Sequence, residues 1–160
     1  MGVKRPWNIV DMPVYSLATY SEDSVNMNIC TYVSSISMKP KIFMVAVDYN
    51  TLTFERLDAK TQSVLQILHM DQIDLVKKLG KKSGKNFDKN DFLVKNNHLE
   101  NWNNNQVLTN ACGYLQLEEK GRKNVGGDHE LFWFEVTKSK TKSEEGVLMF
   151  QKLIEGGIIL

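Results

Sequence analysis

The stretch Asn26–Ser37 (NMNICTYVSSIS) places short hydroxyl, thiol and amide side chains on an alternating β pattern. Short polar side chains and backbone N–H groups allow a phosphate, or the polar edge of a ring system, to approach closely. The stretch therefore indicates a ligand-binding strand. The alternative is a half-exposed strand with serine and threonine on its solvent face.

A second polar stretch, Asp48–Thr53 (DYNTLT), leads into the predicted helix Thr51–Lys60. The free N–H groups at a helix start, assisted by threonine hydroxyls, bind phosphate well. Ordinary N-capping by Thr51 or Thr53 explains the same pattern without a ligand. Composition alone leaves both interpretations open.

A third stretch, Gly126–His129 (GGDH), precedes an aromatic strand. It predicts a histidine at a strand end, where the imidazole can contact a substrate or cofactor. The alternative is a hairpin turn, which Gly-Gly-Asp also favours.

Several catalytic classes lack their signatures. His69, His98 and His129 share no metal-ligand spacing, so we expect no metal site. The sequence has no HExxH, no GxSxG and no GxxxxGK[ST] motif. Cys30 and Cys112 form no CxxC pair and are too few for a disulfide framework.

The length, composition and net charge of the chain narrow the class of protein further. A chain of 160 residues with 42% hydrophobic and 24% charged residues predicts one globular domain over residues 1–160. A net charge of +1 gives no general attraction to nucleic acid or to an anionic membrane, so neither is an expected partner. The longest apolar run, Ile42–Val47, is too short to span a bilayer. No signal peptide is recognised near the start, and we expect a cytoplasmic protein.

The elements that must position these stretches are mostly strands. Strands separated by turns, with few long helices, favour a closed or nearly closed antiparallel barrel. Asn96–Asn105 is expected to be irregular, Lys138–Lys142 to be an exposed hairpin tip, and Gly146–Ile154 to be either a strand or a short helix. The predicted strands are Val14–Tyr20, Asn28–Ser37, Ile42–Val47, Ser63–His69, Val107–Glu118 and Leu131–Thr137, and the second predicted helix is Asp71–Leu79.

The order of the three polar stretches, with two further motifs, resembles the flavin reductase-like, FMN-binding split-barrel family. The loop Ser83–Lys89 (SGKNFDK) is similar to that family's Ser-Gly-(Arg/Lys)-x-x-Asp-Lys loop. Gly127-Asp128-His129 matches its Gly-Asp-His turn, which is followed by a strand ending in Glu135-Val136. The resemblance covers roughly residues 10–137.

The resemblance implies a mainly β fold, a six-stranded antiparallel Greek-key split barrel with short flanking helices. It also implies a homodimer with FMN at or near the subunit interface, and hydride transfer from NADH or NADPH to the flavin. Some members pass electrons to a monooxygenase partner or another acceptor. Two alternatives stay open: a non-catalytic FMN-binding or electron-transfer flavoprotein, and a barrel that has lost its flavin.

The resemblance also assigns roles to residues. Lys85 would add positive charge at the FMN phosphate, and His129 would lie near the nicotinamide. Two departures from the family pattern stand out: Ile29-Cys30-Thr31 replaces a common Thr-Ala-Ser run, and the bulky Trp133 and Phe134 are expected to restrict the nicotinamide pocket. The remaining cofactor-binding residues are Asn28, Ile29, Cys30, Thr31, Tyr32 and Ser34 along the isoalloxazine and ribityl chain, and Asp48, Asn50, Thr51 and Thr53 toward the phosphate.

Overall fold

The computed structural model describes residues 2–59 and 62–159, which form a mainly β fold. The strands are β1 (Tyr15–Ser21), β2 (Ser24–Met27), β3 (Val33–Met38), β4 (Lys41–Asp48), β5 (Ser63–Ile67), β6 (Leu99–Trp102), β7 (Asn105–Leu108), β8 (Gly113–Asn124) and β9 (His129–Thr141). The helices are α1 (Leu52–Asp58), α2 (Ile73–Gly80), α3 (Lys89–Lys95) and α4 (Phe150–Glu155), with short 3-10 turns at Pro6–Asn8 and Met70–Gln72.

Seven of the strands form one antiparallel sheet in the order β2-β1-β5-β8-β9-β4-β3. The chain between β2 and β3 joins the two edges of this sheet. Cys30 exchanges backbone hydrogen bonds with Tyr15 of β1, and the carbonyl of Tyr32 accepts the N–H of Ala46 in β4. The sheet therefore closes into a barrel, and β2 and β3 act as two halves of one bent strand. Six strands were expected; the first half of the predicted strand Asn28–Ser37 is the bend, and β2 before the bend is the additional strand of this sheet.

Alternation along the strands decides which side chains fill the barrel. In β9 the side chains of Glu130, Phe132 and Phe134 are buried, while those between them are only partly buried. Phe132 and Phe134 pack with Val45 and Val47 of β4 in one core cluster. Because successive strand residues point to opposite faces, Ala46 and Asp48 of β4 face outward. A second cluster lies beneath the helices and includes Leu75, Val76 and Leu79 of α2.

Helix α1 begins where the sequence predicts a cap. The Thr51 side chain accepts the Phe54 N–H at 3.1 Å, which makes Thr51 the N-cap. The helix ends at Asp58; Lys60, the end of the predicted helix, lies outside the described residues. Helix α2 begins at Ile73, two residues after the predicted start, because a 3-10 turn capped by the His69 side chain precedes it.

The structure corrects the sequence predictions in the second half of the chain. Asn96–Asn105 is not simply irregular, since it contains β6 and the start of β7, and Asn103 and Asn104 turn the hairpin with φ of 49° and 64°. Lys138–Lys142 is not a hairpin tip, because Lys138–Thr141 pair with β8 as part of β9. Val107–Glu118 divides between β7 and β8, and Gly146–Ile154 contains the start of a helix, α4. Helix α3 was not predicted.

Among residues 2–59 and 62–159, no helix is long and apolar enough to cross a membrane.

Candidate functional site

A cavity of about 380 Å³ opens on the outside of the barrel, beside the end of β4. This volume lies within the usual range for small-molecule sites, about 300–1,000 Å³. Its walls come from seven places in the chain: the bend between β2 and β3, the end of β4, the start of α1, the end of α2, the loop after it, the start of α3 and the start of β9. The lining residues are Asn26, Asn28, Ile29, Cys30, Thr31, Tyr32, Ala46, Val47, Asp48, Asn50, Thr51, Leu52, Thr53, Leu79, Gly80, Lys82, Ser83, Gly84, Lys89 and His129.

Ten of the twelve site residues named from the sequence line this one cavity. The two exceptions are Ser34 and Lys85. The Ser34 hydroxyl lies exposed on β3 and donates to the Ser35 carbonyl at 3.3 Å. The Lys85 ammonium lies 2.7 Å from the Glu55 carboxylate, and Lys85 lines a neighbouring cleft. The cavity therefore brings together residues predicted for the isoalloxazine and ribityl chain and residues predicted for the phosphate, but it does not include Lys85.

Asn26 forms a buried polar wall of the cavity, with only 2% of its surface exposed. Its Nδ2 donates to the Thr53 hydroxyl at 3.1 Å, while its Oδ1 has no hydrogen-bond partner in the structure. Gly84 packs directly against that oxygen, because a Cβ built there would stand 2.3 Å from Oδ1. Buried polar atoms are nearly always paired, so this unpaired oxygen is an unusual feature of the cavity wall, although Gly84 covers the atom itself.

The start of α1 gives the cavity backbone donors. The Thr51 hydroxyl is used in capping: it donates to the Asp48 carbonyl at 2.8 Å and accepts from Phe54 N–H. N-capping therefore accounts for the hydroxyl of Thr51 without a ligand. The first N–H groups of the helix, on Leu52 and Thr53, have no intrahelical partner by the geometry of a helix start. Both residues line the cavity.

Lys89 supplies a buried cation. Its residue surface is only 6% exposed, and its Nζ donates to the Leu79 carbonyl at the end of α2, at 2.7 Å. Burial lowers the pKa of the Lys89 ammonium to about 8. No ion pair joins it to a carboxylate in the described part of the chain. A lysine ammonium has three donors, so two stay available to an anion in the cavity.

His129 and Tyr32 belong to the more exposed part of the cavity wall, which we call its mouth. Their ring centroids are 5.1 Å apart, and Tyr32 is 58% exposed. Nδ1 of His129 lies 2.6 Å from the Asp128 carboxylate, and this hydrogen bond lowers the pKa of Asp128. Because an ionised carboxylate only accepts, Nδ1 carries the hydrogen of this bond; in the neutral form of an imidazole with Nδ1–H, Nε2 is an acceptor.

The aromatic pair expected to restrict the site does not line the cavity. Phe134 is 1% exposed and stacks on Phe132 inside the barrel, with ring centroids 5.8 Å apart. Trp133 lies on the other face of β9, over Gly121, where a Cβ would stand 2.1 Å from its ring. Trp133 is also four residues from His129, or about 13 Å along a strand.

Several lining residues were not named from the sequence. Asn26 belongs to the polar stretch singled out there, and Lys89 ends the Ser83–Lys89 loop, but neither was distinguished from its neighbours. Leu79, Gly80 and Lys82 had no separate signal, because only the packing of α2 against the bend brings them to the cavity. Among the described residues, no cluster of three or more histidine, cysteine or acidic side chains is arranged to hold a metal ion.

A closed antiparallel barrel with a cavity outside it, lined by hydroxyls, the start of a helix and a buried lysine, defines a small β-barrel protein with a polar ligand cavity. The chain belongs to the flavin reductase-like domain family, whose model matches residues 8–153. The expected split-barrel fold is thereby confirmed. No curated protein matches the chain.

Solved structures share the fold at low sequence identity. One is an FMN-binding protein from Thermus thermophilus with bound p-hydroxybenzaldehyde, 21% identical over 90% of this chain and 79% of that one, with a TM-score of 0.76. Another is the styrene monooxygenase flavin reductase of Pseudomonas putida S12, 19% identical over 90% of this chain and 88% of that one, with a TM-score of 0.75. A third is the NADH:FAD oxidoreductase SgcE6 of Streptomyces globisporus in complex with NAD and FAD fragments. It is 15% identical over 90% of this chain and 83% of that one, with a TM-score of 0.77.

Proposed function

We propose that this protein is an FMN-dependent NAD(P)H:flavin reductase, built as a single domain over residues 1–160. One observation carries the proposal: a single cavity joins a buried, cationic end to a mouth that presents a histidine with a free ring nitrogen. A phosphate-bearing flavin matches this polarity along its length. The family of the chain and the flavin-binding proteins that share its fold support the same reading.

The buried end fits the phosphate and ribityl chain of FMN. Lys89 supplies the charge, and the N–H groups of Leu52 and Thr53 supply neutral donors in line with the helix axis. Asn26 is held in this wall by its hydrogen bond to the Thr53 hydroxyl, and the pair gives the ribityl chain a polar surface. Gly84 keeps the loop close enough to exclude water from the phosphate end.

The mouth fits the hydride donor. When bound, the flavin supplies the redox chemistry by accepting a hydride from the nicotinamide. His129 holds the donor: its Nε2 accepts from a carboxamide N–H, while Asp128 fixes the tautomer through Nδ1. No general acid or base is required, so His129 acts by positioning. The exposed ring of Tyr32 provides a flat surface beside it.

The proposal includes a homodimer with FMN near the interface. Ile36 and Met38 are 55% and 83% exposed on β3, a strand that continues the Tyr32 side of the cavity. Burying these apolar side chains against a second copy would remove them from water. We also propose a protein acceptor of electrons, such as a monooxygenase component, and a cytoplasmic location, in line with two buried free cysteines.

Colour and its loss test the function. The purified protein, supplied with FMN, should be yellow and should bleach when NADH or NADPH is added without oxygen. A yellow protein that dithionite bleaches but neither nucleotide does would show a non-catalytic FMN-binding or electron-transfer protein instead. A protein that takes up no FMN would contradict the proposal altogether.

A further inference from the structure

The cavity is flanked by a concentration of positive charge that the flavin site does not use. Residues 75–87 contain five lysines and no acidic residue, although the whole chain has a net charge of only +1. The other residues therefore sum to a charge of −4. Lys85 is paired with Glu55. The remaining four, Lys77, Lys78, Lys81 and Lys82, are exposed at the end of α2 and just after it, and we call them the lysine rim.

The lysine rim is not neutralised by ion pairs in the part of the chain that the structure describes. No ion pair joins any of the four to a carboxylate within residues 2–59 or 62–159. Lys78 lies 6.0 Å from the ring centre of Phe92, and Lys82 lies 4.6 Å from that of Phe87. Lysines at a helix end do balance the negative end of the helix dipole. That effect explains one or two cations in the last turn, but not a second pair beyond it.

The rim also touches two cavities. Lys82 lines the flavin cavity, and Lys81 lines an apolar crevice of about 180 Å³ next to it. The walls of the crevice include Val76 of α2 with Ile158 and Ile159 near the end of the chain. Ile29, Thr31 and Gly80 line both the crevice and the flavin cavity, so the two lie side by side. Lys77 lies one helical turn before Lys81 and extends the same cationic edge.

We propose that the crevice and the lysine rim bind the nucleotide half of the hydride donor, and that Lys77 and Lys81 select NADPH by its 2′-phosphate. The proposal rests on the proposed function, which brings the nicotinamide to the neighbouring flavin cavity. Apolar walls suit the face of an adenine ring, and lysines at the edge suit a phosphate group that carries about −1.5 to −2 charges at pH 7. NADH lacks that phosphate and loses this contact.

The test is calorimetric titration of FMN-loaded protein with 2′,5′-ADP and with 5′-AMP. Loading with FMN prevents either probe from entering the flavin phosphate site. We expect 2′,5′-ADP to bind about tenfold more tightly than 5′-AMP, because one charge-assisted hydrogen bond contributes about that much affinity. The affinity for 2′,5′-ADP should fall as the salt concentration is raised. The double variant Lys77→Gln/Lys81→Gln should lose that preference.

A matched control carries the same change of charge elsewhere. Lys138→Gln/Lys140→Gln lies on exposed β9, roughly 30 Å along the strand from His129, and should keep the preference. In steady state, the Lys77/Lys81 variant should raise KM for NADPH about tenfold, with kcat and the KM for NADH nearly unchanged.

Three results would overturn the proposal. Equal affinity of the wild type for the two probes would remove the 2′-phosphate site. An equal loss in both double variants would show a general charge effect, as for docking of an acidic protein. Flavin reduction by both nucleotides at equal KM would overturn the rim proposal alone, whereas no reduction by either nucleotide would overturn the proposed function.

Discussion

The two ends of the cavity differ in how firmly the protein holds its polar groups. At the buried end, Asn26, Thr53 and Lys89 are 2%, 1% and 6% exposed and are fixed by hydrogen bonds to one another or to the end of α2. At the mouth, Tyr32 is 58% exposed, and the His129 ring is held through Asp128, an exposed carboxylate. A polar contact made away from water is worth more than the same contact in water.

The difference suggests a division of labour along the cavity. The buried end should determine how tightly a flavin is held, because its donors are already ordered and desolvated before the ligand arrives. The mouth should determine which donor reacts and how fast, because an exposed site can admit and release a second ligand. Substitutions at the two ends should therefore separate flavin affinity from the rate of reduction.

The largest effect is expected for Lys89→Met. The variant keeps the length of the side chain but removes the buried cation, so FMN should bind about a hundredfold more weakly while riboflavin, which has no phosphate, changes little. Fluorescence titration with both ligands measures this. The matched control is Lys85→Met, which loses only a cation already paired with Glu55 and should weaken FMN by less than about threefold. Equal losses for FMN and riboflavin would show a structural role instead.

Gly84→Ala should weaken FMN binding by about tenfold. The new Cβ would stand 2.3 Å from Asn26 Oδ1 and 3.0 Å from the Leu52 side chain, so the loop or the buried wall must shift. Gly127→Ala is the control, because a Cβ there meets nothing within 4 Å. Calorimetric titration and melting temperature of both variants check the comparison. If Gly84→Ala bound FMN as the wild type does, the wall would not be rigid.

The sequence predicted the barrel and most of the site because both depend on local patterns. Runs of β-branched, aromatic and apolar residues between turns identified β1, β4 and β9, and the Thr51 cap fixed the start of α1. Lys89 and Gly80 come to the cavity only through packing of α2 and the following loop against the bend. The family resemblance assigned Lys85 to the phosphate, whereas in the structure the Lys85 ammonium is paired with Glu55 of α1. Nonlocal pairings of this kind leave no pattern along the chain.

A change of pH is expected to alter the affinity for FMN severalfold. The pKa of Lys89 in the free protein is about 8, and a bound phosphate dianion favours the charged form. FMN binding should therefore weaken as pH rises from 8 to 9, by at most about tenfold per unit, while riboflavin binding should not. Lys89→Met should abolish the slope.

The same ionisation affects the stability of the flavin-free protein in the opposite direction. The folded state loses the Lys89 proton near pH 8, but the unfolded chain keeps it up to about 10.5. The contribution of Lys89 to the free energy of unfolding should therefore be least favourable below pH 8 and should improve between pH 8 and 10.5. The matched comparison is urea unfolding of wild type and Lys89→Met at pH 7 and 10. A wild-type contribution that fell over this range would contradict the lowered pKa.

The smallest effect on flavin affinity is expected at the mouth. His129→Ala should leave FMN affinity within about threefold, because the imidazole makes no contact at the buried end. Reduction by NADH or NADPH should slow, since the carboxamide loses its acceptor, and reduction by dithionite should be unchanged because that donor needs no nicotinamide site. Asp128→Asn should slow nucleotide reduction less, because it keeps the ring and only frees the tautomer. Stopped-flow rates with all three reductants, together with melting temperatures, separate positioning from hairpin stability. If His129 only closed the turn, the variant would melt earlier and slow with every reductant alike, and the distinction between the two ends of the cavity would not hold.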